Sequence, residues 1–175
     1  MANINEVRAG QTIYEAYYGA SRYIGLTTID LPEFVAQTLD LEGPGIAGTM
    51  SMSFPGMTDN LEVTLHWRTI HEDLTFLLAH RAHTLTLRSS QNVYDAATGI
   101  FRAQPVKIVL RGVPQKMTLG KFEKASETES ESTLNLDYIK IWVDGNEILE
   151  CDKLNYIFRV NGEDYMAGTR TAVGR

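Results

Sequence analysis

Two adjacent residues, Asp144 and Gly145, constrain this chain more than any others. A type I′ turn needs φ > 0 at both central positions, and Asp-Gly between apolar runs is the strongest short-range signal for one. The stretch from Glu127 to Asp152 therefore reads as a long strand, a two-residue turn and a return strand. Ahead of the turn, Leu134, Leu136 and Tyr138 share one face, and Asn135 and Asp137 the other. From Ile139 the apolar residues Ile139, Ile141 and Val143 take the second face, with Trp142 on the first. The strand thus carries a bulge or passes from half-buried to buried on both faces. In the return strand Cys151, the single cysteine, rules out an internal disulfide and reads as a small buried apolar side chain.

Charge is unevenly spread along the chain. Residues 127–152 hold eight acidic residues and one basic, Lys140, whereas 81–124 hold eight basic and two acidic. The whole chain carries −6. Opposite blocks of this kind suggest faces that meet copies or a partner, or else ordinary solvated strand faces.

At 175 residues the chain is long enough for one domain with a proper core and too short to argue for two. Met1–Gly10 lacks the apolar run of a secretory signal, and no stretch approaches a membrane span, so no membrane partner is expected. Gln11–Asp30 is rich in Tyr, Ile and Thr and broken at Gly19 and Gly25, which predicts two short strands, aromatic on one side. Those tyrosines could stack nucleic-acid bases, but only Arg22 interleaves with them, and amphipathic strand residues are the favoured reading.

Leu61–Arg68 alternates cleanly, with Leu61, Val63, Leu65 and Trp67 inward. Thr69-x-x-Glu72 forms a capping box, predicting a helix over about 70–80 that buries Ile70, Leu74, Leu77 and Leu78. Thr84–Arg88 and Pro105–Arg111 resume the strand pattern around a turn at Asp95–Gly99. Near the end Leu154, Tyr156, Phe158 and Val160 alternate before an Asn161-Gly162 turn, and 163–175 reads as a helix or a docking tail.

Several chemical motifs fail on inspection. Gly43-Pro44-Gly45-Ile46-Ala47-Gly48 fits G-x-G-x-x-G, but a strand-like run ending at Pro55 follows where a phosphate-binding helix is required, and Pro44 lacks a donor. We read 40–48 as a flexible Gly-rich loop. The four histidines, His66, His71, His80 and His83, are close in sequence, yet the elements expected there do not converge them as a zinc site demands. Neither HExxH nor a Gly-x-Ser-x-Gly elbow occurs. No catalytic residue, cofactor or metal is expected.

The run from Arg111 to Tyr165 resembles the C-terminal third of major tail tube proteins from contractile-tailed bacteriophages. The similar pieces are Thr128-Glu129-Ser130, then Asp144-Gly145 with Glu147-Ile148-Leu149, then Asn155 and Val160-Asn161-Gly162. Leu31-Pro32, the Gly-rich loop and the strands around one short helix extend the resemblance over most of the chain in order. The resemblance implies one mainly β domain over 1–175, two packed antiparallel sheets or a β-barrel with one main α-helix. It further implies hexameric rings whose sheets join into an inner barrel and stack into a tube. That tube lies within a tail sheath protein and around a tape-measure protein, between initiator or baseplate and terminator proteins. DNA passes through without specific binding, and the location is the virion tail, assembled in the host cytoplasm. Gly43, Pro44, Gly45 and Gly48 are then inter-subunit loop candidates.

If the strand from Glu127 lines such a channel, Glu127, Glu129, Glu131 and Asp137 share the lumen face, where an acidic wall repels phosphates. A competing placement turns that face outward against a basic sheath. Two rival functions stand beside this one: the inner tube of a DNA-free, bacteriocin-like contractile device, and a monomeric β-barrel binding a small ligand in its mouth. A nucleic-acid-binding module is weaker, since the basic block is offset and the pI is about 5.2.

Overall fold

The computed structural model describes residues 6–25 and 28–175. Residues 1–5, part of the leader segment weighed above, lie outside it, as do 26 and 27. Strand β1 (Glu6–Tyr18) leads to short β2 (Arg22–Ile24) and β3 (Thr28–Asp30). A hairpin of β4 (Ala36–Leu41) and β5 (Met50–Thr58) follows, then β6 (Leu61–Trp67) and helix α1 (Glu72–Phe76). The long strands β7 (His83–Asp95), β8 (Ile100–Thr118) and β9 (Ser130–Val143) come next. Then β10 (Asn146–Asp152), β11 (Ile157–Val160), β12 (Glu163–Asp164) and helix α2 (Ala167–Ala172) complete the chain.

Ten strands form one sheet, ordered β12-β11-β10-β9-β8-β7-β1-β2, with β6 and β3 joined along β9. Every pairing is antiparallel, and β4 and β5 pair only with each other as a second, two-stranded sheet. The protein is mainly β, and no barrel closes among the described residues, which overturns the ligand-binding barrel among the rival readings. No helix among the described residues is long and apolar enough to cross a membrane.

The Asp144-Gly145 turn stands as expected, with φ 52° and 79° and Val143 paired to Asn146. The bulge expectation is also met. Arg111 pairs with Tyr138 and Gly112 with Leu136, so Asp137 is an extra residue in β9. Burial shifts phase at that point, from Leu134 and Leu136 to Ile139. Tyr138 consequently leaves the face of Leu136, contrary to simple alternation. At the bulge Arg111 Nε donates to both carboxylate oxygens of Asp137 at 3.1 Å.

This bulge makes a corner. On one edge of β9, residues before Asp137 pair with β6 and residues after it with β10. β8 follows the same path, pairing with β7 through Gly112 and with β9 through Thr118. The sheet is thereby folded into two leaves over one core. Leu61, Val63, Leu65, Leu134 and Leu136 come from one leaf, and Ala16, Leu85, Leu87, Leu110 and Ile139 from the other. Removing these side chains from water is the main favourable term, about 1.5–3 kcal/mol for each large aliphatic residue.

Helix α1 is shorter than the pattern suggests. His71, not Thr69, is its N-cap, with Nδ1 accepting from Asp73 N at 3.3 Å. Beyond Phe76 the chain tightens into i→i+3 bonds (Leu78 N to Thr75 O, Ala79 N to Phe76 O), which points Leu77 inward and Leu78 outward. Leu74 and Leu77 are buried as expected, whereas Ile70 and Leu78 are exposed. Gln11–Asp30 makes three strands, with β1 starting at Glu6 and the breaks at Gly19 and Gly25. Its aromatics use both faces: Tyr18 packs on Phe76 and His83, while Tyr17 meets Tyr23 and Arg88 outside. β5 runs on through Pro55, which edge pairing tolerates. Leu154 to Tyr156 form a turn instead of strand, because Asp152 Oδ1 accepts from Leu154 N and Asn155 N at 3.1 and 3.0 Å.

An ion network ties the last strands together. Lys140 Nζ reaches Glu147 and Glu150 at 2.8 and 3.2 Å, and Arg159 reaches the same two at 3.3 and 2.7 Å. Tyr138 donates to Glu150 at 3.1 Å. Arg170 holds Asp164 at 2.6 Å and donates to Tyr156 O at 2.7 Å, docking α2. The Lys140 hydrogen bond lowers the Glu147 pKa, and the Arg170 hydrogen bond lowers that of Asp164.

Two outcomes are expected. A Cβ on Gly112 would stand 2.3 Å from Asn135 O, so Gly112→Ala should destabilise by roughly 2–3 kcal/mol and lower the melting temperature by about 4–12 °C. An unchanged melt would mean that the corner relaxes freely. Depressed carboxylate pKa values contribute stability above the unfolded pKa of about 4, and it is lost as pH falls through the folded values. The gap in melting temperature between wild type and Asp164→Asn should therefore be present at neutral pH and shrink on acidification. A gap independent of pH would remove Asp164 from the argument.

Candidate assembly surfaces

The acidic residues expected on one face lie on the outer side of the β6–β9 leaf. The strand starts at Ser130 and not at Glu127, because Glu129 sits at φ 53° and cannot extend it. Even so, Glu127, Glu129 and Glu131 alternate with buried Thr128, Ser130 and Ser132, and half-buried Asp137 follows in the same phase. Each has a basic neighbour brought by the register: Arg68 3.6 Å from Glu127, Lys121 3.6 Å from Glu129, and Arg111 on Asp137. His66 lies 3.6 Å from Glu131 and 2.9 Å from Asp30. The Asp137 hydrogen bond raises the Arg111 pKa, which keeps that guanidinium charged at any ordinary pH.

These basic partners were not identified from the sequence. They come from β6 and the residue after it, from β8 and from the loop that follows β8, and long-range strand pairing brings them opposite the acids. One signal was available: the basic block at 81–124 directly precedes the acidic block at 127–152, and antiparallel neighbours with opposite charge pair across the ladder. Arg102 on Asp144 at 2.9 Å repeats the pattern. Much of the charge asymmetry is thus spent within the chain.

The Gly-rich segment is the tip of the β4–β5 hairpin. Gly43, Gly45 and Gly48 have φ 140°, 97° and 100°, and Pro44 lies between the first two. Since strands flank it on both sides, no helix N-terminus is present for a phosphate. The hairpin base is fixed to the body. Asp59 N donates to Val35 O at 2.9 Å, Lys153 Nζ to Thr58 O at 3.3 Å and also to Asp59 O, and Phe34 meets Phe158 edge-on at 6.5 Å. Gly56 lies directly under Met166, where a Cβ would be 2.4 Å from Cγ. Beyond this base, Leu39, Met50, Met52 and Phe54 are exposed, and within it so is Met57. A two-stranded ribbon of this kind is marginal alone, and this one leaves apolar side chains exposed.

The histidines take separate roles: His66 on the outer face, His71 as a cap, His80 exposed, and His83 buried with Nε2 2.9 Å from Ala79 O. Burial raises the Cys151 thiol pKa, so it packs as an apolar group.

Known proteins are similar to this chain in sequence and in fold. The family described as phage tail tube protein FII matches residues 13–174. The tail tube protein of Escherichia phage P2 is 32% identical over 69 residues, 39% of this chain, so the match spans only about two fifths (40%) of that relative. The major tail tube protein of Serratia phage KSP20 is 21% identical over 153 residues, 87% of each chain. Among solved structures, the sheath-tube complex of an extracellular contractile injection system matches with TM-score 0.51 and 14% identity, over 74% of this chain and 87% of that one. The terminating cap of the anti-feeding prophage tube matches with TM-score 0.52 and 15% identity, over the same shares. At such identities the last two speak to fold alone. With a match to nearly its whole length, this chain belongs to the phage tail tube protein FII family.

Proposed function

We propose that copies of this chain close into hexameric rings that stack head to tail into the inner tube of a contractile tail. As a family member the chain is a structural tail tube subunit; ring size and neighbours are the inference. The carrying observation is the exposed β4–β5 hairpin, an apolar ribbon with pairing partners only in itself. The open outer edge of β1 adds to it, since β2 covers only Ala16 to Tyr18. Unsatisfied strand edges and apolar ribbons are the features that pairing between copies removes.

In this reading Gly43, Pro44, Gly45 and Gly48 carry the hairpin tip onto a neighbouring subunit. A sheath surrounds the tube, a tape-measure protein fills it during assembly, and initiator and terminator proteins close its ends. Subunits assemble in the host cytoplasm and end in the virion tail. DNA slides through without specific binding, and the role is mechanical, with no catalytic step. Glu127, Glu129, Glu131 and Asp137 face the lumen, and their basic partners moderate the acidic wall without reversing its sign.

Leu41 and Met50 are paired, so replacing 42–49 by Asn-Gly closes the hairpin with an ideal turn. The variant should melt within about 2 °C of wild type yet form no tubes by negative-stain electron microscopy, with tail initiator proteins present. Normal tubes would remove the tip from assembly. Replacing Glu127, Glu129 and Glu131 by lysine should leave tubes visible but lower phage titre by about tenfold or more, as DNA is gripped electrostatically. An unchanged titre excludes the lumen placement.

A further inference from the structure

The loop between β8 and β9 is held more tightly than a connection requires. A Cβ on Gly120 (φ 76°) would lie 1.7 Å from Thr128 O, so only glycine permits this approach. Lys121 N donates to Thr128 O at 2.9 Å, and Ser130 Oγ to Leu119 O at 2.8 Å. Thr128 is itself tied to Arg68 O through its N–H at 2.9 Å and its hydroxyl at 3.0 Å. Ala125 and Glu129 are held at φ 60° and 53°, a conformation costly for L residues that collects at functional sites. On this platform Phe122 is 89% exposed, more than any other large apolar side chain among the described residues. A pre-ordered loop presenting a bare aromatic loses little entropy on docking and buries a large area, the character of an interface anchor.

The same chain carries a socket. An open-mouthed cavity of about 150 Å³ lies between β3 and the β1–β7–β8 leaf, floored by Leu87, Val106 and Ile108 and walled by Ile29 and Leu31. A cavity of this volume accepts a benzene ring. Phe122 of the same protomer stands in solvent and leaves it unfilled. Knob and socket are different patches, which a head-to-tail contact needs and a two-fold contact does not. Flanking charges agree. Lys124 lies two residues beyond the knob and Glu33 two beyond Leu31, and neither has an ion-pair partner among the described residues.

We propose that Phe122 of one copy seats in this cavity of the next copy, with Lys124 facing Glu33 across the joint. The inference rests on the tube reading above.

The test uses full-length protein with its tail initiators. Phe122→Ala should raise the concentration needed for tube formation by about tenfold or more, the usual weight of an aromatic anchor. Ser89 also lines the cavity, so mild oxidation of tubes from a mixture of Phe122→Cys and Ser89→Cys proteins should yield a disulfide-linked dimer that neither variant forms alone. Wild-type tubes together with an indifferent Phe122→Ala, or tubes without the mixed cross-link, overturn the joint while the tube reading stands. Normal Phe122→Ala tubes that no longer hold sheath also overturn it and assign Phe122 to the sheath. Failure of wild type to form tubes with every partner present overturns both.

Discussion

The corner at Asp137 is the constraint on which the rest of the structure depends. Side chains in a strand alternate with period two, so one inserted residue exchanges the faces of everything beyond it. Without the insertion, Ile139 and Ile141 would face solvent while Leu134 and Leu136 faced the core. With it, both halves of β9 present apolar residues to the same interior, although they pair with different strands on one edge. The Arg111 guanidinium holds the inserted carboxylate, and Gly112 lets β8 lie against Asn135 closely enough to turn with it. A flat sheet of the same strands would have two half-exposed faces. Folded at this point, it encloses its own core.

The electrostatics follow from the same register. Oppositely charged blocks adjacent in sequence become adjacent strands, and their side chains meet: Arg111 with Asp137, Arg102 with Asp144, and Lys140 and Arg159 with Glu147 and Glu150. Exposed pairs contribute little each, about 0–1 kcal/mol, but a half-buried network fixes which strand lies beside which. Charge satisfied inside the protomer is not available for attraction between copies. Apolar surface stays exposed instead, on the β4–β5 hairpin and at Phe122 in the β8–β9 loop.

The sequence was most legible where a local rule decides. Asp144-Gly145 needs positive φ, Asp95–Gly99 turns, and Leu61–Trp67 alternates; all three stand in the structure as read. It was ambiguous where one pattern allowed two geometries, as in β9, whose phase shift fitted a bulge or a doubly buried strand. It misled where a tertiary contact won. Thr69 is a good cap by propensity, yet His71 takes the position, and Arg22, 2.6 Å from Asp73, fixes the first turn. Leu154 and Tyr156 alternate like strand residues, yet the buried Asp152 carboxylate claims the N–H groups at 154 and 155. Of the candidate surfaces, the acidic residues and the glycine tip were visible, while their partners were not. Ion pairs between β6, β8 and β9 depend on register over tens of residues, which no local pattern encodes.

Folding and assembly are separable in this chain because they draw on different surfaces. The core draws on both leaves and α1, and α2 is docked at its edge by the Arg170–Asp164 ion pair. The β4–β5 ribbon contributes no residue to that core and is anchored only at its base. Local stability should accordingly be high in the sandwich and low in the ribbon, since opening free energy follows buried apolar contact. Such a division suits a tail tube subunit whose fold does not depend on its contacts with other copies. Were the ribbon part of the core, the monomer would need its neighbours in order to fold. Were it fully satisfied alone, it would have nothing to give them.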